Sequence, residues 1–176
     1  MGVVSIRTAK GGSAGVKRSE VPLDLEAVYA AHEDRGAYLL VIEVKRRSTL
    51  RVGSLGEIQF ESGWYVYVGS GMLNLSARIA RHHRKRKKLH WHIDYLLDGA
   101  ETGDITSLPI RCRQNLECSL ARDVSRLAAG HTPRFGCSDC SCTSHLLRFD
   151  VNPLQSRPFL DLLLHHRHSI ALARSS

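Results

Sequence analysis

Gly36-Ala37-Tyr38 and Tyr67-Val68-Gly69 each combine a phenol with a glycine, and Arg78 follows eleven positions after the second tyrosine. A phenol can hold a water molecule, but its ordinary pKa of about 10 lets it act as a base only beside a metal or another cation. A guanidinium presents a planar fork that grips phosphate oxygens. His82 comes one helical turn after Arg78 and shares its face, where an imidazole could carry a proton or donate to a phosphate.

A dense basic run starts at the same arginine. Arg81, Arg84, Lys85, Arg86, Lys87 and Lys88 are interleaved with His82, His83, His90 and His92. Arg78, Arg81, Lys85 and Lys88, spaced by three, four and three, would share one face of a continuous helix and could track a phosphate backbone. Nothing in the run has the pattern of base readout, so it points to structure-directed binding.

A third group is Cys137-x-x-Cys140-x-Cys142-x-x-His145, with His131 nearby. Its spacing could supply three or four soft ligands to zinc, or it could be a set of small buried thiols next to Gly136. Asp139 and His145 could equally line a substrate site. A thiolate nucleophile made from Cys140 or Cys142 with His145 has no visible oxyanion partner. Cys112 and Cys118 read as core residues.

The elements that must position these groups can be read from periodicity. From Gly36, the residues Tyr38, Leu40, Ile42 and Val44 face one way and Leu39 and Val41 the other, as in a central strand. Leu50 and Val52, a Gly53-to-Gly56 turn, then Ile58 and Phe60 predict a hairpin. Trp64-Tyr65-Val66-Tyr67-Val68 is a strand by composition, broken at Gly69-Ser70-Gly71. Asn74 is an expected N-cap for a helix running to Lys87. The block 90–97 is apolar and aromatic without a clear period. Residues 105–112 and 145–149 predict strands, Leu116, Leu120, Val124 and Leu127 form a helical stripe, and 159–172 a closing helix. Residues 24–32 predict a short helix. The expected class is α+β (mixed α/β): a small sheet flanked by helices.

With 176 residues, the chain suggests one domain, residues 22–176, after a flexible leader over 1–21 that is rich in glycine. The apolar runs are much shorter than the roughly 20 residues of a membrane span, and the N-terminus lacks a secretion-signal core, so a cytoplasmic protein without a membrane partner is expected. Twenty-five Lys and Arg against seventeen Asp and Glu give a net charge of +8, which favours nucleic acid as partner.

Taken together, the motifs resemble the GIY-YIG nuclease superfamily. Gly63-Trp64-Tyr65-Val66-Tyr67-Val68-Gly69-Ser70-Gly71, Arg78-Ile79-Ala80-Arg81-His82, His90-Trp91-His92-Ile93-Asp94-Tyr95-Leu96-Leu97, Glu117-Cys118 and the segment from Phe135 through the cysteines to Leu146 look like one uncharacterised branch of it. That branch is a domain-of-unknown-function family, found alone or fused to DNA-repair or sugar-fermentation-stimulation proteins. The similarity covers residues 36–149. It implies a metal-dependent endonuclease acting on structured or single-stranded nucleic acid, DNA ahead of RNA, with Tyr38, Tyr67, Arg78, His82 and Glu117 in catalysis. It assigns Glu117 to Mg²⁺ or Mn²⁺. Other expectations are a non-catalytic nucleic-acid-binding module with the same fold and a zinc-stabilised interaction domain. Two departures stand out. An extra hairpin over 47–62 separates the tyrosine motifs and is expected to lengthen the sheet, and the superfamily's late asparagine has only Asn115 and Asn152 as candidates here.

Overall fold

The computed structural model describes residues 34–172; the expected leader and the expected helix over 24–32 lie outside them. Strand β1 (Gly36–Val44) is central, as its two apolar faces require. It pairs antiparallel with β4 (Gly63–Gly71) on one side and with β5 (Thr102–Arg111) on the other. Beyond β4 come β7 (Leu146–Phe149) and the two-residue β6 (Gly130–His131), giving a five-stranded antiparallel sheet in the order β5-β1-β4-β7-β6. The α+β class expected from the sequence is therefore the observed one. Gly36 opens β1 with φ of +143°, and a Cβ there would sit 2.2 Å from the carbonyl oxygen of Ile110, so no other residue fits so close to β5.

The expected hairpin forms, but its place in the fold is a correction. β2 (Ser48–Arg51) and β3 (Glu57–Phe60) pair only with each other, forming a separate two-stranded sheet that does not lengthen the main one. Phe60 and Val52 are fully buried and turn the hairpin onto the main sheet.

The helices sort by face. Leu120, Ala121 and Val124 of α3 (Glu117–Ser125) and Phe159 and Leu163 of α4 (Arg157–Leu172) pack with Leu39, Val41, Val66 and Val68. On the other face, Leu75 of α1 (Leu75–His82) and Ile93 and Leu96 of α2 (His92–Gly99) pack with Tyr38, Leu40, Ile42 and Tyr67. The apolar block without a clear period thus contains α2. Among the described residues, no helix is long and apolar enough to cross a membrane.

Helix α1 ends at His82, five residues short of the expected end at Lys87. Successive charges from Arg84 to Lys88 repel one another, and the chain leaves the helix to bring Lys87 against a buried carboxylate. The start is the expected one, with Asn74 at the N-cap position, but the capping bond is not. Asn74 makes no side-chain capping bond. The carboxylate of Asp34 accepts the Ser76 N–H at 3.0 Å instead, and it also accepts from the Ser76 hydroxyl and from Arg111. Those bonds, the Ser76 hydroxyl first, hold the Asp34 carboxyl below its usual range.

Candidate active site

Tyr38 and Tyr67 lie on the same face of adjacent strands, with ring centroids 6.3 Å apart. Tyr38 stands opposite Gly69 in the β1–β4 register. A Cβ on Gly69 would come within 2.5 Å of the Tyr38 ring carbon Cζ and its hydroxyl. The glycine of the second motif therefore makes room for the tyrosine of the first, which explains on packing grounds why the two motifs occur together.

His82 closes the group from α1. Its Nε2 lies 2.7 Å from the Tyr38 hydroxyl, and its ring is 6.2 Å from that of Tyr67. The residue is only 2% exposed and sits behind the tyrosines, so the expectation that it could donate to phosphate does not hold; it positions Tyr38. Burial first, and then the charge of Lys87, push the imidazole pKa down to about 3, so it is neutral at ordinary pH. Burial also raises both phenols above their usual value, that of Tyr38 against the opposing pull of Arg78. Both are protonated at neutral pH. Tyr67 can orient a water molecule, but both are poorly placed to deprotonate one.

Arg78 reaches across from α1. Its guanidinium donates to the carbonyl oxygen of Ser70 at 2.6 Å and stacks on the Trp91 ring, 4.5 Å from its centre. Arg81 covers Trp91 at 4.3 Å.

Glu117 arrives from the far side of the sheet. β7 pairs with β4 only from Trp64 to Tyr67, so the last residues of β4 have no strand partner on that side. Into this gap comes the first turn of α3. One Glu117 oxygen accepts from the Ser70 hydroxyl, and the other lies 3.0 Å from Nδ1 of His145. Burial works to raise the Glu117 pKa, but the bonds from His145 and Ser70 and the charge of Arg78 outweigh it, and the carboxyl stays ionised below its usual range. Tyr67, Ser70, Arg78, Trp91 and Glu117 line one open cleft of about 820 Å³. Asp139 lines it too, as expected, whereas His145 is buried behind Glu117.

The basic run divides in two. Arg81 grips the fully buried carboxylate of Asp94 with two bonds of 2.8 and 2.9 Å and also donates to the carbonyl of Lys88. The Lys87 amine is nearly buried, donating to the His82 carbonyl at 2.9 Å and lying 3.7 Å from Asp94. Both are structural ties; the nearly buried Lys87 is thereby corrected as a phosphate contact, whereas Arg81 stays partly exposed and lines the cleft. Asp94 also accepts the backbone N–H of His90 and Trp91, at 3.0 Å each. Burial alone would raise its pKa; the Arg81 and backbone bonds hold it low. Arg84, Lys85, Arg86 and Lys88 are exposed, but not on one helical face.

The cysteine cluster is also revised. Cys118, expected in the core, joins Cys140, Cys142 and His145 in a group whose ligand atoms all lie within 4.8 Å of one another, close enough to bind a metal ion. Cys137 is not part of it; its thiol donates to the Phe135 carbonyl at 3.2 Å. Burial, with the neighbouring thiols adding to it, pushes Cys118 up to about 12. Neither asparagine candidate lines the cleft. Asn115 accepts the Glu117 N–H, and Asn152 accepts the Leu154 N–H. Asn74 does line it.

Residues 37–165 match the family described as Domain of unknown function DUF123. The chain belongs to that family. The match takes in every element from β1 to the first half of α4, and with them all the residues of the cleft. No curated protein and no solved structure shows significant similarity to this DUF123 chain.

Proposed function

We infer that the protein is a metal-dependent endonuclease of the GIY-YIG type, cutting phosphodiester bonds in structured or single-stranded nucleic acid. The observation that carries this reading is the meeting of Tyr67, Arg78 and Glu117, from three separate elements, in one cleft, with Tyr38 and His82 directly behind. Arg78, anchored on Ser70 and Trp91, is pre-oriented to hold the non-bridging oxygens of a phosphate. The neutral phenol of Tyr67 orients the attacking water, and Tyr38, its hydroxyl held by His82, packs behind it. The partly exposed, ionised carboxylate of Glu117, with Asp139 on the same cleft wall, suits a hard divalent ion, which often takes only one or two protein carboxylates. Held by Glu117, Mg²⁺ or Mn²⁺ would supply positive charge at the scissile phosphate. The exposed run Arg84, Lys85, Arg86 and Lys88 continues from the helix that carries Arg78, and supports a nucleic-acid backbone as the partner.

The test is cleavage of flap, bubble and single-stranded oligonucleotides by the purified protein with Mg²⁺ or Mn²⁺. Cutting is expected, with a loss of at least about a hundredfold in Arg78→Ala and Glu117→Gln, in line with removal of one charge-stabilising group. Cutting that survives both changes would reject the assignment.

One observation favours a second reading. Both Glu117 oxygens already have partners within the protein. A non-catalytic module that only binds nucleic acid would show salt-sensitive binding, weakened by neutralising Arg84 to Lys88, without cleavage under any metal.

A further inference from the structure

The cluster beside the cleft has a geometry of its own. Cys118 comes from the first turn of α3, Cys140 and Cys142 from the loop before β7, and His145 from the residue next to that strand. Three thiols and an imidazole are the donor set of a soft, tetrahedral site. With bonds of about 2.3 Å to sulfur and about 2.0–2.1 Å to nitrogen, a tetrahedron has sulfur-to-nitrogen edges of about 3.6 Å and sulfur-to-sulfur edges of about 3.8 Å. Sγ of Cys140 and Nε2 of His145 are 3.6 Å apart. No pair of ligand atoms exceeds 4.8 Å, so closure needs movements of about 1 Å or less.

The other nitrogen of the same ring supplies a second, independent observation. Nδ1 of His145 faces Glu117 at 3.0 Å, the carboxylate–histidine arrangement that commonly backs a metal ligand and fixes its tautomer. The residue is also rigidly set. Its N–H donates to the Phe135 carbonyl, its carbonyl accepts the Val68 N–H, and it is 1% exposed.

We propose that Cys118, Cys140, Cys142 and His145 bind one Zn²⁺ in a closed structural site, with Glu117 as the outer partner of His145. On binding, three thiols release their protons to solvent as three zinc–sulfur bonds form, and His145 binds as neutral imidazole through Nε2. Nδ1 must then carry the proton, and it donates to Glu117. The ion pins the start of α3 to the start of β7 across the gap where the sheet is unpaired. It also holds in one orientation a carboxylate that lines the cleft. The four-ligand set leaves no open position, so the ion itself takes no substrate.

The test uses the full chain, purified under reducing conditions. Elemental analysis is expected to give one zinc per chain. Replacement by Co²⁺ should give the intense visible bands of a tetrahedral ion with thiolate charge transfer. Cys118→Ser and Cys142→Ser should each lose the metal, and Cys137→Ser should keep it. A wild-type protein that takes up less than one equivalent of zinc on titration, or gives a weak octahedral cobalt spectrum, would overturn the proposal. Loss of metal in Cys137→Ser with retention in Cys118→Ser would do the same. The wild-type cobalt spectrum decides even if a serine variant does not fold. None of these readouts uses a nucleic-acid substrate, so failure here and failure of the nuclease reading are separate results.

Discussion

His82 offers a sharp test of how the tyrosine pair is held. Its ring is 2% exposed, its Nε2 faces the Tyr38 hydroxyl, and its Nδ1 has no hydrogen-bond partner. Burial first, and then the positive charges of Lys87, Arg81 and Arg78, disfavour a proton here against the pull of Asp94. Protonation in the folded state is therefore suppressed, with the pKa lowered from 6.5 to about 3. The unfolded chain binds the proton first. The stability that comes from keeping His82 neutral is complete above about pH 6.5 and is lost as pH falls toward about 3. The slope is about 1.4 kcal/mol per pH unit, which gives a loss of about 2–3 kcal/mol between about pH 7 and about pH 4.5. Asp34, Asp94 and Glu117 have pKa values held below their usual range, so they add little above about pH 4.5. His92, lowered by burial, contributes equally to wild type and variant. Urea unfolding at the two pH values, for wild type and His82→Gln, isolates the effect, because glutamine can hold the Tyr38 hydroxyl but does not titrate. Wild type should lose about 2–3 kcal/mol more than the variant over this interval. Equal losses would refute a buried neutral histidine at this position.

Two packing predictions follow from the same site. Asp94→Ala strands Arg81 and Lys87 and frees two backbone N–H groups, so chemical denaturation should show a loss of about 3–5 kcal/mol, whereas Arg84→Ala on the exposed run should stay within about 0.5 kcal/mol of wild type. Gly69→Ala drives a methyl group into the Tyr38 ring and should cost about 1–3 kcal/mol; combined with Tyr38→Ala it should cost less than the sum of the single changes, which a double-mutant cycle measures.

How much of this could be read from sequence depended on whether the signal was local. The two apolar faces of β1 are a periodic pattern and appear as expected; the stripe of α3 holds at Leu116, Leu120 and Val124, while Leu127 lies past the helix end and is exposed. Tyr67, Arg78 and Glu117 do meet in the cleft. What was not legible depends on long-range partners. Arg81 and Lys87 look like any other members of a basic run until Asp94, itself in an apolar block, is found buried between them. The capping bond is expected from Asn74 itself, yet Asp34, 42 residues before Ser76, supplies it. Cys118 lies on the polar side of a helix stripe, and only folding brings it to Cys140 and Cys142, 22 and 24 positions on. Ser70 and Trp91 lie within the motifs, but nothing local says that they anchor Arg78.

The short length of β7 connects these features. If it paired with β4 as far as Gly71, its backbone would fill the space that Glu117 and His145 now occupy. Because it stops at Leu146 opposite Tyr67, polar side chains reach the sheet's end from both faces: Arg78 from α1 on one, Glu117 from α3 on the other, both anchored on Ser70. Such a gap gives up sheet hydrogen bonds, and something must hold its two sides together. Adjacent residues of α3 are suited to that division of labour: Glu117 turns toward the cleft and Cys118 toward the cluster, with His145 touching both. The separate hairpin accounts for the wide interval between the tyrosine motifs without disturbing this arrangement. It leaves β1 and β4 in continuous register from Gly36–Gly71 to Val44–Gly63, so an insertion between the motifs lengthens the chain while the two phenols stay side by side.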